Sequence, residues 1–310
     1  MNQHSVTGRG VVRIDAHHHL WDLAAHPQTW MDAPGPYDKL ESPGGWAKPL
    51  RRDFAPGDLK PLLDEYGIRA SIVVQTVSDL GETRDLLDLA ARTPWIAGVV
   101  GWFDLTDPGI ADTIAALRGG PGGDRLVGVR HQVHDEPDPY WLLRPDVLRG
   151  LHAVADAGLV YDLLVRETHL EPALGAVRRI PHGRFVVDHI AKPNIASRSP
   201  ERRADDPWFD GIAALAAEPN VTCKLSGMVT EADWHAWTVD DLFPYARLVL
   251  GMFGPYRTMF GSDWPVCTLA ATYGQVVDAA TELFTRCAFD LDSPESEAFF
   301  GGTARSVYLD

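Results

Sequence analysis

Cysteine is scarce in this chain of 310 residues, and its few copies lie far apart. The cysteines are Cys223, Cys267 and Cys287. An odd number of cysteines without Cys-x-x-Cys spacing argues against a disulfide framework and against a structural zinc knot. We therefore expect a protein of a reducing compartment, the cytoplasm.

Long apolar runs and positive charge are also lacking. No stretch approaches the roughly 20 apolar residues that a membrane helix needs, and residues 1–10 do not carry the apolar core of a secretory signal. Lys and Arg number 28 against 43 Asp and Glu, which gives a formal net charge of −15. Such a surface repels nucleic acids and anionic membranes, so we expect neither as a partner. An anionic substrate would need a local basic pocket.

The composition that remains is typical of a soluble enzyme-sized protein, with 45% apolar and 23% charged residues. Short apolar segments alternate with helical patterns, which predicts a parallel sheet. The predicted strands cover 11–14, 71–75, 96–102, 126–131, 159–165, 184–189, 221–225 and 257–263. Eight such units predict an α/β fold, a (β/α)₈ TIM barrel forming a single domain over 1–310. An open doubly wound sheet is the alternative, but no Gly-x-Gly-x-x-Gly turn follows the first strand.

Two helix starts can also be predicted from local patterns. Asp107-Pro108 predicts a helix with proline in its first position. Thr168 and Glu171 have the spacing of a capping box, which predicts a helix that begins there.

A long segment at about 21–55 is rich in proline and glycine, which break helices and strands. Loops of this length are uncommon in compact domains and are usually functional, so we expect a substrate loop. The segment contains Trp21, Trp30, Tyr37 and Trp46. These aromatic residues either anchor the loop or line a substrate pocket, and the sequence leaves both readings open.

Unusual polar residues gather where the predicted strands end, which is the face of a barrel that carries the reacting groups. The first strand leads into a His-x-His pair, and alternation predicts that Asp15, His17 and His19 share one face while His18 points away. Two imidazoles so spaced can reach one metal ion or one substrate. The other strand ends carry Arg130 and His131, Asp188 and His189, Lys224, and Asp263 followed by Trp264.

Two of these ends leave alternatives. Only one of Arg130 and His131 can face the barrel axis, and we favour Arg130. Its guanidinium either serves the reaction or pairs with a structural carboxylate such as Asp162. Lys224 either contacts a substrate or extends its ammonium out to solvent.

Taken together, these motifs resemble the amidohydrolase superfamily, and within it the branch of sugar-lactone hydrolases. The resemblance spans nearly the whole chain. The matching phrases are Ile14-Asp-Ala-His-His-His-Leu-Trp21, Gly128-Val-Arg-His131, Val187-Asp-His-Ile-Ala-Lys-Pro193, Cys223-Lys-Leu-Ser-Gly227, Phe260-Gly-Ser-Asp-Trp-Pro-Val266, Trp234-His-Ala-Trp-Thr238 and Phe300-Gly-Gly-Thr-Ala-Arg-Ser-Val-Tyr308.

The resemblance implies a metal centre of His17, His19, His189 and Asp263. It argues against two metal ions, because Arg130 and His131 stand where the two-metal members carry a carboxylated lysine or a glutamate. One divalent ion is implied, zinc or alternatively manganese, held weakly or not at all in some members. Ligand imidazoles must be neutral, so occupancy is expected to drop as pH falls through about 6.5.

The implied reaction is the hydrolysis of a small lactone such as a sugar-acid lactone. Asp263 would be the general base, with His189 and Arg130 as further catalytic residues. The expected substrate-binding residues are Trp21, Trp30, His131, Lys224 and Trp264. Two alternatives remain, a non-oxidative decarboxylase on the same barrel and a barrel that binds a sugar acid without catalysis. The expected partner is a small lactone, and a homodimer stays open.

Overall fold

Eight parallel strands lie side by side, in chain order, in a computed structural model of the protein. The structure describes residues 12–34, 45–197 and 206–310. The predicted (β/α)₈ barrel is confirmed. The strands are β1 (Ile14–His18), β2 (Ala70–Val74), β3 (Ile96–Gly101), β4 (Leu126–His131), β5 (Val160–Leu163), β6 (Arg184–Val187), β7 (Val221–Leu225) and β8 (Thr258–Phe260).

Helices connect the strands on the outside of the sheet, as parallel pairing requires. None of the helices within the described ranges is long and apolar enough to cross a membrane. The helices are α1 (Pro56–Glu65), α2 (Leu80–Arg92), α3 (Ile110–Arg118), α4 (Pro145–Asp156), α5 (Leu170–Arg179), α6 (Pro207–Ala216), α7 (Met228–Glu231), α8 (Val239–Phe253), α9 (Tyr273–Arg286), α10 (Pro294–Glu297) and α11 (Thr303–Tyr308).

The barrel closes through a seam between the ends of β1 and β8. The Asp263 amide donates to the His17 carbonyl at 2.8 Å, and the His19 amide donates to the Trp264 carbonyl at 2.6 Å. Three residues of the predicted metal centre, His17, His19 and Asp263, therefore lie at this seam.

The lower half of the barrel interior is apolar and is closed by the last helix. Ala304 and Tyr308 of α11 pack among side chains that point inward from the strands. The inward-pointing side chains are Ile14, Ala16, Ile72, Val74, Val100, Val160, Val186 and Met259. This apolar packing fills one end of the barrel, so the polar side chains of the site lie at the other end, where the strands end.

Several predicted strand bounds are wrong in a way that matters for the site. β1 begins at Ile14 instead of ending there, and its register with β2 shifts between Asp15 and His18. Because Ile14 and Ala16 point inward, Asp15 points outward, where it accepts a hydrogen bond from Tyr273 of α9 at 3.1 Å. The prediction that Asp15 shares a face with His17 is therefore wrong, since the irregularity breaks the alternation.

Both predicted helix starts are also wrong. Helix α3 begins at Ile110, because Asp107 accepts a hydrogen bond from the Gly109 amide at 2.8 Å and forms a turn before the helix. Helix α5 begins at Leu170, after a short 3₁₀ turn, and its first residues are not capped by Thr168.

The long segment is tied at its base. Trp21 and Phe54 exchange backbone hydrogen bonds of 3.1 and 3.0 Å, and the Trp21 indole donates to the Arg52 carbonyl at 2.8 Å. Trp21 thus anchors the loop. Short 3₁₀ helices lie at Thr29–Asp32 and Gly45–Leu50. Residues 35–44, with Tyr37, lie outside the described residues.

An imidazole also ties this loop to α2. His26 contacts Asp79 through Nδ1 at 3.1 Å and Asp85 through Nε2 at 2.8 Å. Burial alone would lower the pKa of His26, but the bonds to Asp85 and Asp79 outweigh it and raise that pKa above its ordinary value.

We expect His26→Gln to destabilise the protein in a pH-dependent way. A pKa raised by folding contributes stability below the ordinary value of about 6.5, which is lost as pH rises through the raised value. The two carboxylates are exposed, so the loss should be about 1 kcal/mol or less near pH 6 and close to zero at pH 9. Unfolding midpoints of both proteins across pH measure it. In an Asp85→Asn background the effect should shrink, and a pH-independent loss would contradict the ion-pair explanation.

Candidate active site

Three imidazoles and one carboxylate converge at the end of the barrel where the strands end. The Nε2 atoms of His17, His19 and His189 lie 3.8, 3.4 and 3.8 Å from Asp263 Oδ1. The Nε2 atoms of His17 and His19 are 3.2 Å apart. All four side chains are buried.

Each histidine is oriented by a partner on its other ring nitrogen. Nδ1 of His19 contacts the Val74 carbonyl at 2.7 Å, and Nδ1 of His189 contacts the Ser226 hydroxyl at 2.9 Å. Nδ1 of His17 lies 3.3 Å from Asp188 Oδ1. The Val74 carbonyl can only accept, so Nδ1 of His19 donates and the Nε2 lone pair of His19 faces the centre. Nδ1 of His17 also lies 3.2 Å from the Lys224 ammonium, which can only donate.

The backbone is bent to bring His189 and Asp263 into this position. Both have left-handed φ angles, 52° and 58°, which are costly for residues with a Cβ and are found most often at functional sites. Gly227 leaves the space for the His189 ring, since a Cβ at that position would lie 2.5 Å from Nδ1. His189 and Asp263 lie beyond the ends of β6 and β8 and not within the strands as predicted, because β6 ends at Val187 and β8 at Phe260.

His17, His19 and Asp263 fit a divalent metal ion. Ligands about 2.1 Å from a tetrahedral ion are about 3.4 Å from one another, and the distances among these three lie between 3.2 and 3.8 Å. His189 comes within 3.8 Å of Asp263, but its ligand atom groups with those of His17 and Asp188 instead. Burial holds the pKa of His17 and of His189 well below the ordinary value, so both rings are neutral and able to bind a metal near neutral pH.

Asp263 is ionised at neutral pH. Its burial would raise the pKa, but the neighbouring His189 and His19 act the other way, and the net result is a lowered pKa. The carboxylate can therefore bind a cation or accept a proton.

A network of buried charges lies directly beneath this centre. The Lys224 ammonium is 2.5 Å from Asp162 and 3.0 Å from Asp188, and Arg130 is 3.1 Å from Asp188. Burial raises the pKa of Asp162 to about 6, although Lys224 acts against this. For Asp188, burial is outweighed by Lys224, His17 and Arg130, so its pKa falls well below the ordinary value.

The amidohydrolase family model matches residues 14–309. The chain belongs to the amidohydrolase family. An L-fucono-1,5-lactonase of Burkholderia ambifaria is 38% identical over 300 residues, which cover 96% of this chain and 95% of the relative. An L-fucono-1,5-lactonase of Burkholderia multivorans is 38% identical over 305 residues, covering 96% of each. A crystal structure of an amidohydrolase from Burkholderia multivorans with bound zinc has a TM-score of 0.83 at 36% identity, covering 96% of this chain and 99% of that one.

Two predicted site residues of this amidohydrolase lie beneath the centre. Arg130 faces the barrel axis as predicted, but its carboxylate partner is Asp188 and not Asp162. Lys224 neither reaches solvent nor contacts a substrate at the mouth, because its side chain is 0% exposed and its ammonium is held by two carboxylates. Both predictions for Lys224 are corrected on that ground.

The remaining predicted substrate contacts are spread around the mouth. His131 stacks on Trp141 at 4.2 Å, and its ring nitrogens contact Glu136 at 2.6 Å and Trp102 at 3.0 Å. Trp264 is buried and packs on Phe54 at 5.2 Å. Neither side chain reaches the four-residue centre through these contacts.

Trp30 is half-buried between the rings of Trp21 and Trp46, at 6.2 and 5.9 Å, so it remains available as part of a pocket wall. Its substrate-binding role stays a prediction.

Asp188 and Ser226 contact His17 and His189, and the sequence did not assign either of them to the centre. The signal for Asp188 was the alternation of β6: Val186 faces inward, so the side chain two positions later is expected to face inward as well. Nothing in the sequence pairs Ser226 with His189, because the two meet only after β6 and β7 become neighbours.

We expect Ser226→Ala to lower metal affinity by about 10- to 100-fold, the usual effect of removing a group that orients a ligand. The matched control is Ser71→Ala, which removes a hydroxyl 2.9 Å from His18 Nε2 on the outer face of the sheet. Competition with a chromophoric chelator measures both affinities without relying on turnover. Equal affinities in the two variants would show that Ser226 does not orient His189.

Proposed function

We propose that this amidohydrolase hydrolyses a lactone of a sugar acid to the hydroxy acid. One observation carries the proposal: three imidazole Nε2 atoms surround the ionised Asp263 at the mouth of the barrel. The two L-fucono-1,5-lactonases, similar over nearly their full length, support the same class of carboxylic ester hydrolase.

We propose that His17, His19, His189 and Asp263 hold one divalent ion, zinc in the first place and manganese as the alternative. Three nitrogens and one carboxylate oxygen are a donor set that suits zinc. The zinc-bound amidohydrolase at 36% identity supports this choice. When bound, the ion would supply a Lewis acid that polarises the carbonyl and lowers the pKa of water.

Asp263 acts as the general base in this proposal. Its three close contacts all involve Oδ1, so we assign proton transfer to Oδ2. The carboxylate takes one proton from water, and the water oxygen forms a bond to the lactone carbonyl carbon. The bond from that carbon to the ring oxygen then breaks, and Asp263 returns the proton to the departing oxygen.

Arg130 contributes its charge from below. Its NH1 lies 3.3 Å from His17 Nε2, so a positive charge borders the centre on the barrel side. A fixed charge in a buried position stabilises negative charge that develops on the carbonyl oxygen. A direct hold on a substrate carboxylate is not its role here, since the Arg130 side chain is only 4% exposed.

The alternative reactions gain no specific support. A 2,6-dihydroxybenzoate decarboxylase shares the fold at a TM-score of 0.61, but at 16% identity that likeness carries the fold alone. Strand β5 reads Val-Tyr-Asp-Leu and brings no histidine to the centre. We also propose that the whole chain acts as one catalytic domain on a small-molecule lactone, while the cytoplasmic location and the homodimer stay predictions.

We expect Asp263→Asn to lower hydrolysis by about 10²–10⁴-fold, because it keeps the shape of the side chain and removes the base. Acid release from L-fucono-1,5-lactone measures turnover, and metal content is measured in the same samples because Asp263 is also a proposed ligand. Asp64→Asn, on the exposed surface of α1, is the control. Turnover near that of the wild type would exclude Asp263 as the base.

We expect a chelator to lower turnover, and zinc or manganese to restore it. Because the pKa values of His17 and His189 are held well below 6.5, metal occupancy should persist at a lower pH than the ordinary imidazole value implies. Elemental analysis across pH tests the occupancy. Full turnover by metal-free protein would refute the metal proposal and leave Asp263 as the base of a metal-independent lactonase.

A further inference from the structure

Three successive loops bring a group of charges to the mouth of the barrel on the side of β6. The Lys192 ammonium contacts Glu231 Oε1, and Arg166 NH1 lies 3.5 Å from Glu231 Oε2. The side chains of Lys192 and Glu231 are only 14% and 12% exposed. Ion pairs on the outer surface usually have more exposed side chains than these, so we place the Lys192–Glu231 pair in the wall of the barrel mouth.

Lys192 is built into the turn that positions His189. The Lys192 amide donates to the His189 carbonyl at 2.8 Å, and its left-handed φ of 48° ends the run of left-handed residues that starts at His189. Its charge reaches the centre: after burial and the nearer histidines, the Lys192 ammonium is among the influences that lower the pKa of Asp263.

Aromatic rings continue this wall from Glu231 to the long loop. Trp234 follows Glu231 by three residues and lies 6.0 Å from Trp46, which lies 5.9 Å from Trp30. All three indoles are half-buried. Ligand sites are mostly apolar and aromatic with a few fixed polar groups, and a sugar ring offers matching surfaces, an apolar C–H face and a rim of hydroxyls.

We propose that the Lys192–Glu231 pair is the specificity-determining group that recognises two adjacent ring hydroxyls of the lactone. This inference rests on the proposed function, and it names the residues that recognise the sugar part of the substrate. Among the residues that the structure describes, Glu231 Oε2 contacts only Arg166, at 3.5 Å, so it can accept a hydrogen bond from one hydroxyl. An ammonium has three donors, so Lys192 can serve Glu231 and the neighbouring hydroxyl together.

The pair should reject lactones that lack these hydroxyls. A site that hydrogen-bonds a substrate hydroxyl discriminates strongly against the analogue without it, because the charged groups of the site then lose water without gaining a partner. Asp263 and the three histidines act on the ester group that every lactone has, so they cannot provide this selection.

Two substrates separate recognition from catalysis. L-fucono-1,5-lactone carries the hydroxyls, and δ-valerolactone has a six-membered lactone ring without them. We expect Glu231→Gln to lower kcat/KM about 10- to 100-fold for the first, mainly through KM, and less than about threefold for the second. Lys192→Gln should lower kcat/KM for the first lactone by a similar factor through KM, and it is tested on that lactone alone because the Lys192 charge also acts on Asp263. The matched control is Glu218→Gln, which alters a carboxylate 2.7 Å from Arg178 at the opposite end of the barrel and should change neither value.

An equal loss on both lactones in Glu231→Gln would overturn the proposal, because the pair would then position His189 and not read the substrate. Unchanged values on both would overturn it as well. Thermal unfolding shows whether the Glu231 variant is folded. If it is not, Lys192→Gln tests the same ion pair on the first lactone.

A wild-type protein that turns over neither lactone would refute the proposed function but not this inference. Calorimetric binding of L-fucose, a six-membered sugar with the same hydroxyls, then decides. Binding that weakens in Glu231→Gln supports the pair, and equal binding in both proteins overturns it.

Discussion

Asp188 is the buried charge on which the rest of the site depends. It lies within 3.3 Å of His17, 3.1 Å of Arg130 and 3.0 Å of Lys224, which come from β1, β4 and β7. Removing one partner from a buried set of charges costs about 3–5 kcal/mol, because it leaves another charge without compensation. Strand β6 is thus tied to three other strands by electrostatics as well as by the sheet, and the depth of the His17 ring in the barrel follows from that arrangement.

The same network sets the charge of the centre above it. Lys224 and Arg130 carry two positive charges, and Asp162 and Asp188 carry two negative charges, so the layer is balanced when all four are ionised. His17 and His189 above are neutral because burial lowers their pKa. Asp263 therefore provides the negative charge that faces a bound cation or substrate. A second carboxylate close by would raise the pKa of Asp263, but Asp188 is already neutralised by its own partners.

Local periodicity predicted the barrel, and the rule that strand ends share one face predicted that the unusual polar residues would gather at one mouth. The choice of His17, His19, His189 and Asp263 among those residues came from the resemblance to the amidohydrolase superfamily. Alternation also predicted that only one of Arg130 and His131 faces the axis, and the preference for Arg130 is confirmed. The wrong predictions concern side chains whose orientation or partners depend on distant parts of the chain. Asp15 turned outward because β1 has an irregular register against β2. Lys224 was not assigned to carboxylates because Asp162 lies on β5, 62 residues earlier in the chain. Both outcomes depend on which strands become neighbours, and no local pattern encodes that.

Closing the barrel and assembling the centre are one structural event. The backbone bonds that join β1 to the end of β8 involve His17, His19 and Asp263, three of the four converging residues. Asp15 supports the seam from outside, since its Oδ1 accepts from the His17 amide at 3.1 Å and from the Ser262 amide at 2.9 Å. A ligand that binds these side chains in the folded state holds the first and last strands together, so its binding free energy adds to the stability of the closed barrel. The outward turn of Asp15 therefore serves the site, although Asp15 itself never faces it.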